Sequence, residues 1–215
     1  MSLRRYPIIA REGWPFIVVG LLLMMVATRV GGAALWISVG ALLVILVLLF
    51  RDPRRRVPAV PLGVVAPVDG RILSIKPTDK GELRREAMMI EMTVNHFGAY
   101  MARSPAEGKV LDLRDNLAAG SRMTGGSGLW VRTDEGDDVV VLMVGVRQIA
   151  KPRSFVGYGE RLGQGQRFAF IRLARRARIF LPLDCQLRVK EGQRVRAGSD
   201  LLAEFSRYEE DTSES

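Results

Sequence analysis

The 215-residue chain predicts a mainly β fold, a small quasi-symmetric β barrel or sandwich preceded by an N-terminal transmembrane helical hairpin. Three observations predict it. Two long apolar runs fill residues 14–50. From Gly63 to about Phe205, apolar or alternating runs of strand length are separated by glycine turns. Within that region two segments recur, "PVDGRIL" (Pro67–Leu73) as "PAEGKVL" (Pro105–Leu111) and "YGERLGQGQRF" (Tyr158–Phe168) as "EGQRVRAGSDL" (Glu191–Leu201). Paired echoes of this kind point to a repeated hairpin unit.

Residues 1–50 are read as the membrane hairpin. "WPFIVVGLLLMMVAT" is about one short span, "RVGG" interrupts it, and "AALWISVGALLVILVLLF" follows. A single crossing would leave four arginines on each side. A hairpin puts Arg4, Arg5, Arg11, Arg51, Arg54, Arg55 and Arg56 on one side, with Arg29 alone opposite. That asymmetry marks cytoplasmic flanks. The expected location is the bacterial inner (cytoplasmic) membrane, with the rest of the chain cytoplasmic.

Residues 51–62, "RDPRRRVPAVPL", read as a basic juxtamembrane linker that either ends the hairpin or also captures anionic headgroups. Residues 63–207 form the β domain. Its expected strands are "GRILSI", "GKVLDL", "GLWVRT", "DDVVVLMVGV", "RFAFIRL", "ARIFLP", "CQLRV" and "DLLAEF", with "TDEGDD" as a hairpin turn. Residues 208–215 are an acidic tail with too little apolar content to fold.

The 32 Lys and Arg residues against 23 Asp and Glu give a formal net charge of +9, and this favours anionic partners. One cysteine, Cys185, excludes an intrachain disulfide and reads as core. A single histidine, His96, leaves no ligand set for zinc or non-haem iron, so no metal is expected. Nucleic acid is disfavoured, because the basic stretches lack interleaved stacking aromatics. "GYGERLGQG" has no strand–loop–helix unit around it, which argues against a nucleotide loop. "TGGSG" is not a nucleophile elbow. Tyr100 reads as a half-buried strand aromatic, and Asp69 as either a turn residue of an Asp-Gly pair or a functional carboxylate.

"FIRLARRARIFLP" (Phe170–Pro182) poses the sharpest question. Read as one strand, it puts Arg172, Arg176 and Arg178 on a solvated face. Leu173, Ala177, Ile179 and Leu181 fall on a core face. Arg175 has the parity of the core face.

An apolar hairpin, "FRDPRRRVP", "APVDGRI", "RSPAEGKV", "DDVVVLMVGVRQIAKPRSF" and "RFAFIRLARRARIFLP" follow one another in that order. From about Pro7 to Glu204 the chain resembles the short bacterial-type phosphatidylserine decarboxylases. The resemblance implies a proenzyme that cuts itself at a Gly-Ser bond, leaving an N-terminal pyruvoyl group. That ketone forms a Schiff base with the amine of phosphatidylserine and takes up the electrons released with carbon dioxide. An aspartate of the Asp-Gly motif and a histidine of an Asn-Val-His-x-Asn-Arg-x-Pro motif would support the self-cleavage.

Carried over position by position, the aspartate is Asp69, retained. The histidine position is Tyr100, the two asparagines are Gly98 and Ala102, and the Gly-Ser pair is Ala174-Arg175. Arginine has no β-heteroatom to shift an acyl group or to eliminate. A cation with pKa above 12 forms no Schiff base at neutral pH. Tyrosine, near 10 unperturbed, is a poor base beside a histidine near 6.5. The expectation is therefore a non-catalytic homologue, without the pyruvoyl cofactor, that binds anionic phospholipid at the membrane, or a phospholipid-synthesis enzyme or catalytic homologue. Arg51, Arg54, Arg55, Arg56, Arg103, Arg172, Arg176 and Arg178 are the candidate lipid contacts. Arg175 is expected near the old pocket, held by a phosphate, a carboxylate or Asp69. The alternative is an active decarboxylase producing phosphatidylethanolamine and carbon dioxide.

Overall fold

The computed structural model describes residues 13–49, 55–79, 83, 85–95, 98–114, 127–144, 153–171 and 174–206. The chain divides into two compact units, Met1–Arg54 and Arg55–Ser215, so the division falls inside the stretch read as linker.

In the first unit, α1 spans Trp14–Val30 and α2 spans Ala33–Leu49. Pro15 sits in the first turn of α1, where its missing N–H has no helical partner to lose. Gly31 ends α1, its N–H reaching the Ala27 carbonyl at 3.0 Å. The helices pack antiparallel, and Gly20 keeps the contact close, since a Cβ there would stand 3.1 Å from Leu43 Cδ1. Each helix has 17 residues, about 26 Å at the α-helical rise, against a hydrocarbon core of ~30 Å. Among the described residues no helix is long and apolar enough to cross a membrane. The transmembrane expectation is corrected accordingly: Gly31 and Gly32 divide the apolar stretch into two short helices.

The second unit is mainly β, with strands β1 (Gly63–Val65), β2 (Gly70–Thr78), β3 (Ala87–Val94), β4 (Met101–Arg103), β5 (Gly108–Arg114), β6 (Ser127–Arg132) and β7 (Asp138–Val144). They are followed by β8 (Arg153–Ser154), β9 (Arg161–Leu162), β10 (Arg167–Phe170), β11 (Arg176–Leu181), β12 (Gln186–Leu187), β13 (Arg194–Val195) and β14 (Leu201–Glu204). Among the described residues they form a curled half-barrel sheet of eight strands, ordered β13-β2-β3-β11-β7-β6-β5-β9. Two three-stranded sheets, β1-β14-β12 and β4-β10-β8, complete it.

The echoes in the sequence recur in space. β2 and β5 each start at the glycine of an echoed segment, and their outer neighbours, β13 and β9, come from the second echo. Gly159 and Gly165 match Gly192 and Gly198, and all four hold left-handed φ between 68° and 82°. The flanking strands β10 and β14 occupy the centres of the two small sheets.

The core lies on the concave face. Ile72, Ile90, Met92, Leu129, Val141, Ile179 and Leu181 are each at most 1% exposed. β7 is buried on both faces, because Val140, Leu142, Phe180, Ala87 and Leu83 form a second cluster with Trp130 and Met89 against its outer side. "TDEGDD" makes the β6–β7 hairpin turn, with Gly136 at φ 94°.

Candidate functional site

Asp69 belongs to the turn before β2, yet its side chain does more than close that turn. It is 6% exposed. Its Oδ2 accepts from Arg55 Nη2 at 2.7 Å and from the Ala99 N–H at 3.0 Å, and its Oδ1 accepts from the Ala197 N–H at 2.8 Å. The carboxylate thus joins the start of the unit, the segment before β4 and the turn before β14. Gly98 is pressed against it: a Cβ at Gly98 would lie 2.8 Å from Asp69 Cβ. The position of one family asparagine therefore has no room for a side chain.

Backbone hydrogen bonds bring the other carried-over positions to the same place. The Asn95 N–H donates to the Asp69 carbonyl at 2.7 Å, and the Val94 N–H to the Arg175 carbonyl at 3.0 Å. The Ile171 N–H donates to the Tyr100 carbonyl at 2.9 Å, and the Ala174 N–H to the Ile171 carbonyl at 3.1 Å. Asp69, Tyr100, Ala174 and Arg175, up to about a hundred residues apart in the chain, are linked through a few peptide groups.

Tyr100 is 7% exposed and lies before β4 rather than on a half-exposed strand; its ring meets Phe170 at 6.3 Å between centroids. Burial raises its pKa above the usual phenol range, which holds it neutral. Ala174 is fully buried, while Arg175 is exposed. β11 begins at Arg176, so Arg175 precedes the strand and the strand's alternation does not reach it. Its guanidinium makes no ion pair with Asp69, whose oxygens are taken by Arg55, Ala99 and Ala197. The expected inward-facing Arg175 is thus corrected to a solvent-facing one. A pyruvoyl group needs a β-heteroatom on its precursor residue, and neither Ala174 nor Arg175 carries one; the residues present do not fit that group.

The candidate lipid contacts separate into different classes. Arg55 and Arg103 are internal rather than lipid-facing. Arg55 is tied to Asp69, and Arg103 is 7% exposed with its Nη1 on the Gly165 carbonyl at 3.0 Å. Arg176 and Arg178 are solvent-facing and share Glu91, at 3.5 and 3.1 Å. Arg56 is exposed. Arg51, Arg54, Arg172 and His96 lie outside the described residues, as does the tail from residue 208. Cys185 is buried, with its thiol pushed up to about 11 by burial and by Asp184.

The sequence reading missed Arg55 as the partner of Asp69. It also missed an open cavity of about 970 Å³ at the other side of the turn region, lined by Glu86, Glu107, Asp134, Glu135, Asp137 and Asp184. Burial and the neighbouring Asp184 and Glu135 carboxylates raise the pKa of Asp137 there. None of the carried-over positions lines that cavity.

Comparison with known proteins places the chain among its relatives. The family model described as phosphatidylserine decarboxylase matches residues 42–203. The phosphatidylserine decarboxylase proenzyme of Nitrosomonas eutropha is 38% identical over 212 residues, covering 93% of this chain and 96% of the relative. That of Burkholderia ambifaria is 35% identical over 208 residues, covering 93% and 97%. A solved structure, glucose permease IIA from Mycoplasma capricolum, is similar at a TM-score of 0.48 and 16% identity over 66% of this chain and 94% of that one, too distant to bear on function.

Proposed function

The chain belongs to the phosphatidylserine decarboxylase family, and we propose that it is a non-catalytic member that recognises anionic phospholipid without decarboxylating it. One observation carries this reading. Where the resemblance sets the self-cleaving Gly-Ser pair, the chain has a buried Ala174 and a solvent-facing Arg175. No acyl shift from nitrogen to oxygen and no β-elimination can start there. The second partner is missing too, since a buried neutral Tyr100 replaces the histidine.

The membrane part of the reading rests on α1 and α2. Trp14, Phe16, Leu22, Met25, Trp36, Ile37, Ile45 and Leu48 are each at least 44% exposed. An apolar pair of this size calls for lipid around it. The helices associate with the cytoplasmic face of the bacterial inner membrane as a re-entrant hairpin, and the arginine asymmetry sets the side. A lipid-synthesis enzyme is the other class of partner that such a docked domain would serve.

A second reading, an active decarboxylase, is favoured by the names of the relatives and by the retained Asp69. One experiment separates the two. The full chain, expressed in bacteria and recovered from the membrane fraction, should keep an intact mass of 23.9 kDa. Cleavage into two fragments at Ala174, the smaller with a ketone at its N-terminus, would establish the second reading instead. Recovery from the soluble fraction alone would remove the membrane part.

A further inference from the structure

The outer face of the eight-stranded sheet carries a row of arginines at one end. Arg194 on β13 pairs in register with Arg71 on β2, Arg71 with Thr93 on β3, and Thr93 with Arg176 on β11. Residues directly opposed across strands share a face. The neighbouring row, Ile72, Met92 and Ala177, is buried, so this row faces out. Arg71, Arg176 and Arg194 are all exposed. Arg178 lies in the next outward row opposite Glu91, which it shares with Arg176. Glu91 is the single carboxylate paired with these four arginines among the described residues. Leu73, at the β-bulge of β2, adds an apolar point that is 41% exposed.

Like charges directly opposed across strands destabilise a sheet, and the internal repeat supplies the control. The equivalent pair at the other end of the sheet is also basic: Lys109 on β5 faces Arg161 on β9. There Arg161 is neutralised by Glu107, at 3.3 Å, and by Asp134. At the first end, Arg71 and Arg194 have no carboxylate partner among the described residues, and Arg71 Nε is held only by the Gly192 carbonyl at 2.6 Å. The same unit is therefore neutralised once and left open once.

We propose that the Arg194–Arg71–Thr93–Arg176 row, with Arg178, is the surface that docks on an anionic bilayer. This names the site for the anionic-lipid recognition proposed above and rests on that reading. The row crosses three strand spacings, about 14 Å, enough to meet several headgroups of one leaflet. Guanidinium groups bind phosphate through two parallel N–H donors. The row contains no aromatic side chain on which a base could stack, and Leu73 suits the headgroup–acyl boundary better than a nucleic acid.

The test uses the full chain with Cys185→Ser and an environment-sensitive fluorophore at Leu73→Cys. A control carries the fluorophore at Tyr158→Cys, which is 79% exposed beside the neutralised pair. With vesicles of phosphatidylcholine plus phosphatidylglycerol, the probe at residue 73 should shift to the blue and return in high salt. With phosphatidylcholine alone it should not shift, and the probe at residue 158 should stay unchanged in both. Each basic residue near an anionic leaflet strengthens binding about fivefold, so Arg71→Gln with Arg194→Gln should lower the docked fraction relative to undocked about 25-fold. Arg71→Lys with Arg194→Lys should retain most of the docking, and Arg161→Gln should change nothing. Undiminished discrimination between the vesicles in the double glutamine variant excludes this face and leaves the anionic-lipid reading standing. A wild-type chain that does not discriminate overturns that reading itself. Tighter binding to a uridine homopolymer than to the vesicles makes the face a nucleic-acid surface and overturns the proposal.

Discussion

Asp69 is held in place by three separate parts of the chain at once. Its two oxygens satisfy two peptide N–H groups and one guanidinium from three separate parts of the chain. Asp69→Ala leaves all three donors in a buried site and should cost about 3–5 kcal/mol. Arg55→Ala removes one charge-assisted bond, leaves the two peptide donors in place, and should cost about 1–3 kcal/mol. Urea unfolding of both variants checks the order, and a smaller loss for Asp69→Ala than for Arg55→Ala would refute it. At this scale the sequence was legible for identity and not for direction. That Arg175 and Tyr100 stand where the resemblance sets a serine and a histidine can be read off the chain. Where Arg175 points cannot, because parity holds only inside a strand and β11 begins one residue later. Arg55 was hidden for a related reason. In a run of basic residues beside an apolar segment, nothing local says which cation folds back onto a carboxylate fourteen residues on.

Among the elements, β3 was absent from the expected strands, although its burial alternates from Met89 to Val94. Its methionines, Met88, Met89 and Met92, carry little strand preference, and only pairing with β2 and β11 makes the segment extended. The starts of β2 and β5 were legible, since both echoed segments carry the glycine their geometry demands. A Cβ at Gly70 would lie 1.8 Å from the Thr93 carbonyl oxygen, and one at Gly108 2.1 Å from that of Arg132. Neither backbone can give way without breaking its ladder. Gly70→Ala and Gly108→Ala should therefore each destabilise by about 3 kcal/mol or more, measured as a fall in Tm. If either variant kept the wild-type Tm, the close approach would not be a constraint. The helices show the opposite kind of error. Their apolar content is plain in the sequence, but the Gly31-Gly32 break sets the length of each, and that is a matter of geometry.

For the whole molecule, the repeat in the sequence foretold the quasi-symmetry of the sheet, while the pairing of distant strands had no local signal. β1 pairs only with β14 among the described strands, Gly63 opposite Glu204, and β2 takes β13 as its outer neighbour. A chain ending at Val195 would lack β14, leaving β1 and β12 without their shared partner. Such a chain should show no cooperative thermal transition, whereas one ending at Ser206 should melt like the full protein. A cooperative transition in the shorter chain would mean that the first-to-last pairing is dispensable. The pairing also bears on how the protein is made. Translation from β1 to β14 takes about 10–30 s at ordinary elongation rates. Throughout that interval β1 has no partner yet synthesised, and the outer edge of β2 waits for β13. The sheet β1-β14-β12 is therefore completed only after β14 has been synthesised, well after the β2–β3 and β6–β7 pairs can form.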